Sequence, residues 1–278
     1  MTTYVISTAI ADVRSHPDPT SELVTQALMN TPAEPCENIG DWTFVTLSDY
    51  QGWVRKDELE EPIVKGFCKV GACCGTPLHF VAVICTTRTP LFSNSKSDHT
   101  LGYAYLSTTL PILDLTEANR VQVVLPGERI AWLSRAAIAI SRQETAFPRT
   151  SVAAITNYAY SFLGVPYLWG GRSYEGIDCS GFTQLCYRMG GYVIPRDANQ
   201  QHDFLQQHVD RNHIQEGDLI FFGLREITHV AMALNNHEYI HSEGQSFHCV
   251  TINSFDPANE HYHKRLDDIY WGAKRVIP

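Results

Sequence analysis

The sequence has no apolar run approaching the roughly 20 residues that a membrane-crossing helix needs, so it offers no place for one. Basic residues are scarce: 21 Lys and Arg stand against 30 Asp and Glu, a net charge of −9 at pH 7. A chain with that deficit repels nucleic acid, anionic membranes and anionic wall polymers, so none of these is expected as a partner. The opening Met1-Thr2-Thr3-Tyr4-Val5-Ile6-Ser7 lacks a basic region followed by a long apolar core, so no secretory signal is visible. With Met1 as the natural start, the expected location is cytoplasmic; a processed chain would belong to the periplasm or the exterior.

Cys-x-x-Cys pairs are also absent. Cys68, Cys73 and Cys74 lie close together but lack a correctly spaced second pair, so zinc is not expected. The remaining cysteines are Cys36, Cys85, Cys179, Cys186 and Cys249. An even count invites a disulfide framework. A chain of 278 residues, 44% apolar, builds real cores without staples, so reduced thiols are expected instead.

Two segments repeat one pattern. Gly52-Trp53-Val54-Arg55-Lys56-Asp57-Glu58-Leu59 and Ala131-Trp132-Leu133-Ser134-Arg135-Ala136-Ala137-Ile138 each run small residue, Trp, aliphatic, polar turn, closing aliphatic. Short alternating runs precede both, Trp42–Leu47 in one and Val121–Leu125 in the other. Short strands at close spacing between turn residues predict two small β-barrels, residues 1–62 and 63–145. The phrase Gly52-Trp53-Val54 … Leu59 resembles bacterial SH3-like modules that accompany cell-wall enzymes.

Past residue 145 the texture changes. Val152, Ile155, Ala159 and Phe162 recur at helical spacing over 151–163, with Gly164 and Pro166 ending the run. A glycine-rich loop over 164–178 follows. Phe182, Leu185, Cys186 and Met189 then form the apolar stripe of a second helix, stopped by Gly190-Gly191. Strand-like runs at 218–222, 229–234 and 238–241 complete an α+β domain over 146–278. Cys179 falls in the first turn of the second helix, where unpaired N–H groups and the helix dipole favour negative charge. A lowered thiol pKa and a nucleophilic thiolate are therefore expected.

A thiolate nucleophile needs a base, and the base needs a third group to orient it. His229 opens one strand and His241 closes the next, with Asn235-Asn236 as the turn between them. A turn centred there sets the two histidines opposite one another or within one residue of it. The blander alternatives are a small buried cysteine with two unrelated histidines, or a Cys-His-His metal set.

In combination, Gly164-Val165-Pro166-Tyr167-Leu168-Trp169-Gly170-Gly171, Asp178-Cys179-Ser180-Gly181-Phe182, Pro195-Arg196-Asp197-Ala198-x-x-Gln201, Gly217-Asp218-Leu219-Ile220-Phe221-Phe222 and Thr228-His229-Val230-Ala231 resemble the NlpC-type (NlpC/P60) cysteine peptidases of bacterial cell-wall metabolism, a papain-like fold. The resemblance implies Cys179 as nucleophile, His229 as general base and acid, and His241 as the orienting member. It places Tyr167 and the Cys179 N–H beside a developing oxyanion. With two SH3-like modules in front, the chain is similar to the γ-D-glutamyl-L-diamino acid endopeptidases. These cleave peptidoglycan-derived peptides that carry a free N-terminal L-alanine, in muropeptide recycling. On that likeness Glu22 and Tyr50 would bind the substrate ammonium. Asp178, Ser180, Arg196 and Asp197 would line the L-alanyl-D-glutamyl pocket, and Trp169 would wall it. Ala198 stands where members often carry serine, so it is left out of the site. No cofactor or metal is implied, and both lysine and diaminopimelate remain open as the diamino acid, as does the oligomeric state. Rival functions are a secreted hydrolase of intact wall, a non-catalytic wall-peptide binder, and acyl transfer on the same scaffold.

Overall fold

The computed structural model describes residues 3–63 and 80–277, and Cys68, Cys73 and Cys74 lie outside them. The chain divides into two compact units, Met1–Ala146 and Phe147–Pro278.

Among the described residues the first unit is built of strands and short 3-10 turns. Its strands are β1 (Tyr4–Ile6), β2 (Ile10–Arg14), β3 (Leu23–Leu28), β4 (Pro32–Ile39), β5 (Trp42–Thr46), β6 (Gln51–Arg55) and β7 (Leu59–Glu60). Seven more follow: β8 (Phe80–Ile84), β9 (Arg88–Phe92), β10 (Thr100–Tyr105), β11 (Thr109–Asp114), β12 (Arg120–Leu125), β13 (Arg129–Ser134) and β14 (Ile138–Arg142). Period-two alternation builds each half: in β2, Ala11 and Val13 are fully buried between less buried neighbours. The first sheet has the order β3-β2-β6-β5-β4-β1-β7 and the second β10-β9-β13-β12-β11-β8-β14. The two orders correspond strand for strand, so the Trp53 and Trp132 repeat in the sequence is a repeat of topology. Trp53 lies in β6 and Trp132 in β13, and each strand runs into a single 3-10 turn, Lys56–Glu58 or Arg135–Ala137. Each sheet has its own core, Val13, Val45 and Val54 in one and Ile84, Ile112 and Leu133 in the other. Met29 of the first half packs into the core of the second, and the Asn30 amide donates to the Thr109 carbonyl at 2.9 Å. The halves therefore share packing within one unit.

The second unit opens with α1 (Val152–Tyr160), capped by the Ser151 hydroxyl. This helix stops three residues short of the expected end, and a turn leads to Gly164 at φ +80°. A two-stranded hairpin, β15 (Arg172–Ser173) and β16 (Gly176–Ile177), delivers the chain into α2 (Cys179–Met189). Every residue of α2 except Arg188 is buried, because α1, α3 (Ala198–Phe204) and the sheet surround it. The sheet combines β17 (Gln207–Val209), β18 (Leu219–Gly223), β19 (Ile227–Ala233), β20 (Glu238–Glu243), β21 (Cys249–Ser254) and β22 (Tyr270–Arg275), in the antiparallel order β17-β22-β18-β19-β20-β21. A short α4 (Lys264–Asp268) precedes β22. β18 is buried throughout, as its unbroken run Leu219-Ile220-Phe221-Phe222 requires. No helix among the described residues is long and apolar enough to cross a membrane.

Candidate active site

Asp178 organises the start of α2. Its Oδ1 caps the helix by accepting from the Gly181 N–H at 2.7 Å, and its Oδ2 accepts from the Gly170 N–H at 2.9 Å. Arg196 meets both oxygens, with Nη1 3.0 Å from Oδ1 and Nη2 2.6 Å from Oδ2, in a buried bidentate pair. The Ser180 hydroxyl donates to Oδ1 and accepts from Arg196. Asp178, Ser180 and Arg196 thus bind one another and clamp the glycine-rich loop onto the helix. Gly181 completes the clamp: a Cβ there would stand 2.6 Å from the Gly171 carbonyl. The buried Gln201 joins α3 to α2 by donating to the Ser180 and Pro195 carbonyls and accepting from Thr183. Asp197 stands at the start of α3, its carboxylate accepting from Gln200 at 3.0 Å.

Cys179, a free thiol, is the first residue of α2 and is buried. The N–H of Ser180, at the helix start, and that of Val230, on β19, both point at the sulfur. They do not decide its protonation. Burial, reinforced by the adjacent Asp178 carboxylate, pushes the thiol up to about 12. The sequence expectation of a lowered pKa is therefore corrected. Cys179 rests as a neutral thiol, because burial outweighs the N–H groups of Ser180 and Val230.

The two candidate histidines lie on the sheet that packs against α2. Nε2 of His229 on β19 lies 2.7 Å from Nδ1 of His241 on β20, with ring centroids 4.9 Å apart. They are not direct partners. β19 and β20 pair as Met232–Ile240 and Ala233–Tyr239, and extending that ladder sets His241 against Ala231. The offset from direct opposition is two residues, one beyond the expected range, because Asn235 builds a wider turn, its Oδ1 accepting from the His237 and Glu238 N–H groups. An even offset keeps both rings on one face, so the pair survives as a diagonal. Burial, with His241 beside it, holds His229 well below its ordinary value. Burial brings His241 down to about 4, against the opposing pull of its bond to Asn253. Both imidazoles are neutral at pH 7.

Tyr167 sits half-buried beside the thiol, and burial together with the nearby Cys179 raises its phenol, which stays protonated and able to donate. The turn after β20 seats it: the Tyr167 N–H donates to the His248 carbonyl at 2.8 Å, and a Cβ on Gly244 would stand 2.7 Å from the ring. Glu243 holds that turn by accepting from the N–H groups of Gln245, Ser246 and Phe247. Trp169 is 60% exposed on the loop and is not a core residue. Sequence reasoning missed Glu243, Gly244 and Asn253, the last of which accepts from His241 Nε2 at 2.9 Å. The one available signal was an asparagine inside a strand-like run, where that residue is disfavoured. Among the described residues no group of three or more His, Cys, Asp or Glu side chains is arranged to hold a metal.

Glu22 and Tyr50 belong to the first unit. Glu22 is exposed just before β3, and Tyr50 is half-buried just before β6. Both strands run antiparallel to β2, on its two sides, so Glu22 and Tyr50 share one rim of the sheet.

Residues 164–271 match the NlpC/P60 family, and residues 13–59 match the bacterial dipeptidyl-peptidase SH3 domain. The chain is 30% identical over 276 residues to a gamma-D-glutamyl-L-lysine dipeptidyl-peptidase of Bacillus cereus, covering 93% of this chain and 76% of that protein. It is 26% identical over 292 residues to dipeptidyl-peptidase 6 of Lysinibacillus sphaericus, covering 94% and 95%. The crystal structure of an NlpC/P60 family protein from Bacillus cereus is similar with a TM-score of 0.83 and 26% identity, over 99% of this chain and 100% of that one.

Proposed function

The chain belongs to the NlpC/P60 family of cysteine peptidases, and on that premise we propose that it hydrolyses the γ-D-glutamyl–L-diamino acid bond of peptidoglycan-derived peptides with a free N-terminal L-alanine. The observation that carries the reading is the 2.7 Å bond between His229 and His241 on the sheet that packs against α2, the helix that Cys179 begins. With Nε2 of His229 engaged by His241, Nδ1 is the nitrogen left to take the thiol proton. As Cys179 attacks the γ-carbonyl, the proton passes to His229 and the sulfur–carbon bond forms. Tyr167 and the Cys179 N–H donate to the oxygen that gains charge. His229 then protonates the departing amine, the carbon–nitrogen bond breaks, and a thioester remains. Water, deprotonated by His229, then attacks the thioester carbon; the sulfur–carbon bond breaks, His229 returns the proton to the Cys179 sulfur, and L-alanyl-D-glutamate is released.

The names of the relatives support the substrate class. Glu22 and Tyr50 on one rim supply a carboxylate and a phenol of the kind that binds an ammonium group. A short soluble peptide also suits a chain of net charge −9 better than the polyanionic wall. We place its role in the recycling of released peptides in the cytoplasm, which cell fractionation tests.

The deciding assay compares L-Ala-γ-D-Glu-L-Lys and its diaminopimelate counterpart with their N-acetylated forms. Release of L-Ala-D-Glu from the free-amine peptides, a loss on the order of 10²-fold on acetylation and an inert Cys179→Ala variant are expected. Equal cleavage of free and acetylated peptides removes the ammonium site, and an active Cys179→Ala removes the mechanism.

A further inference from the structure

Behind the histidine pair lies a third polar side chain that no role yet accounts for. Asn253 on β21 is 2% exposed, and its Oδ1 lies 2.9 Å from Nε2 of His241. Its other atom, Nδ2, lies 3.0 Å from the carbonyl of His261. A backbone carbonyl only accepts, so it fixes which end of the amide is which: NH2 faces His261 and the oxygen faces His241. The register makes this a continuing line. β20 and β21 pair as Tyr239–Asn253 and His241–Thr251. Asn253 is therefore displaced by two residues from His241's direct partner, in the same sense as His241 is displaced from that of His229. His229, His241 and Asn253 form a diagonal across three neighbouring strands on one face of the sheet.

We propose that Asn253 is a positioning residue that sets the tautomer of both histidines and so leaves Nδ1 of His229 unprotonated toward Cys179. An acceptor oxygen at Nε2 of His241 requires the proton to be there. The neutral ring then carries a lone pair on Nδ1, which can only accept from His229. His229 must hold its proton on Nε2, and its lone pair lies on Nδ1. Rotating the Asn253 amide would reverse every step and present the thiol with an N–H it cannot use. The His261 carbonyl prevents that rotation. Asn253 touches neither substrate nor thiol, and acts only through the two rings.

This inference rests on the Cys179–His229–His241 reading, but its first test needs no turnover. Long-range proton–nitrogen correlation spectra of the full-length protein with 15N-labelled histidine report which ring nitrogen is protonated. At pH 7 both His229 and His241, assigned by single replacements, are expected to carry the proton on Nε2. A proton on Nδ1 of His241 in the wild-type protein overturns the proposal, whatever peptide is or is not cleaved. Loss of peptidase activity with these tautomers intact would count against the substrate instead.

Two variants extend the test. Asn253→Leu removes the acceptor, and a fall in kcat on the order of 10²-fold with KM little changed is expected, together with appearance of Nδ1–H signal on the histidines. Asn253→Asp keeps an acceptor and is expected to restore the Nε2–H tautomers and activity to within about tenfold of wild type. Unchanged tautomers and unchanged kcat in Asn253→Leu overturn the proposal. Equal losses in both variants with tautomers intact also overturn it, because Asn253 would then be only structural. If Asn253→Leu does not fold, the wild-type spectrum decides alone.

Discussion

Nε2 of His229 sits 2.7 Å from Nδ1 of His241 although neither residue is the other's cross-strand partner. The bond spans a diagonal, so it depends on two long planar side chains reaching toward each other. Replacing His241 with Phe keeps a ring in the space but removes the acceptor, leaving His229 free to rotate and to adopt the wrong tautomer. A loss in kcat on the order of 10³-fold is expected, with KM little altered because His241, fully buried, does not face the substrate. Steady-state kinetics on L-Ala-γ-D-Glu-L-Lys check this. His241→Gln, which retains an acceptor oxygen, should fall less.

The Asp178–Arg196 pair is 9% and 1% exposed at its side chains, so its charges have no recourse to water. Arg196→Met strands a carboxylate among apolar and backbone groups. A destabilisation of about 3–5 kcal/mol is expected, as for other buried pairs broken from one side, read from urea denaturation. Asp178→Asn combined with Arg196→Met should cost less than the sum of the single changes, since no lone charge is then buried.

Gly244 is a handle on Tyr167 from outside the catalytic set. A methyl group at 244 must displace the phenol ring, whose atoms stand 2.7 to 2.9 Å from the added carbon. If Tyr167 donates to the oxyanion, Tyr167→Phe should lower kcat on the order of 10²-fold. Gly244→Ala should lower it as well, and should add little in the Tyr167→Phe background. Additive losses in that double-mutant cycle would mean that Gly244 acts elsewhere.

These expectations start from features of unequal visibility in the sequence. The Cys179 helix is legible because its apolar spacing and its glycine stop are local. The first-unit repeat is legible because both copies carry the same tryptophan strand followed by a turn. α3 has no apolar stripe and was not assigned as a helix; its anchor, the polar Gln201, is visible only as part of the family phrase, because the hydrogen-bond network that buries it leaves no periodicity. β22 pairs with β18 and β17, strands remote in the chain, so local patterning did not assign it. The histidine pair was reachable because a two-residue offset from direct opposition preserves the face. The protonation of Cys179 was not. A helix start can be read from sequence, whereas the burial that outweighs it is a property of everything packed around the sulfur.

The same burial makes stability depend on pH through His241. Its ring titrates near 6.5 when exposed and near 4 in the folded protein. Between those values the unfolded chain binds a proton that the native chain refuses, so stability rises with pH across that window. The contribution is complete above about pH 6.5, is lost progressively as pH falls toward 4, and changes no further below that. His229 is lowered too and adds to it in the same direction. Urea midpoints at pH 7 and pH 4.5 should therefore separate clearly for the wild-type protein. His241→Gln cannot titrate at that position, so its midpoints should lie closer together. An equal separation in both proteins would mean that His241 already accepts its proton in the native state, and that the buried imidazole is not held neutral.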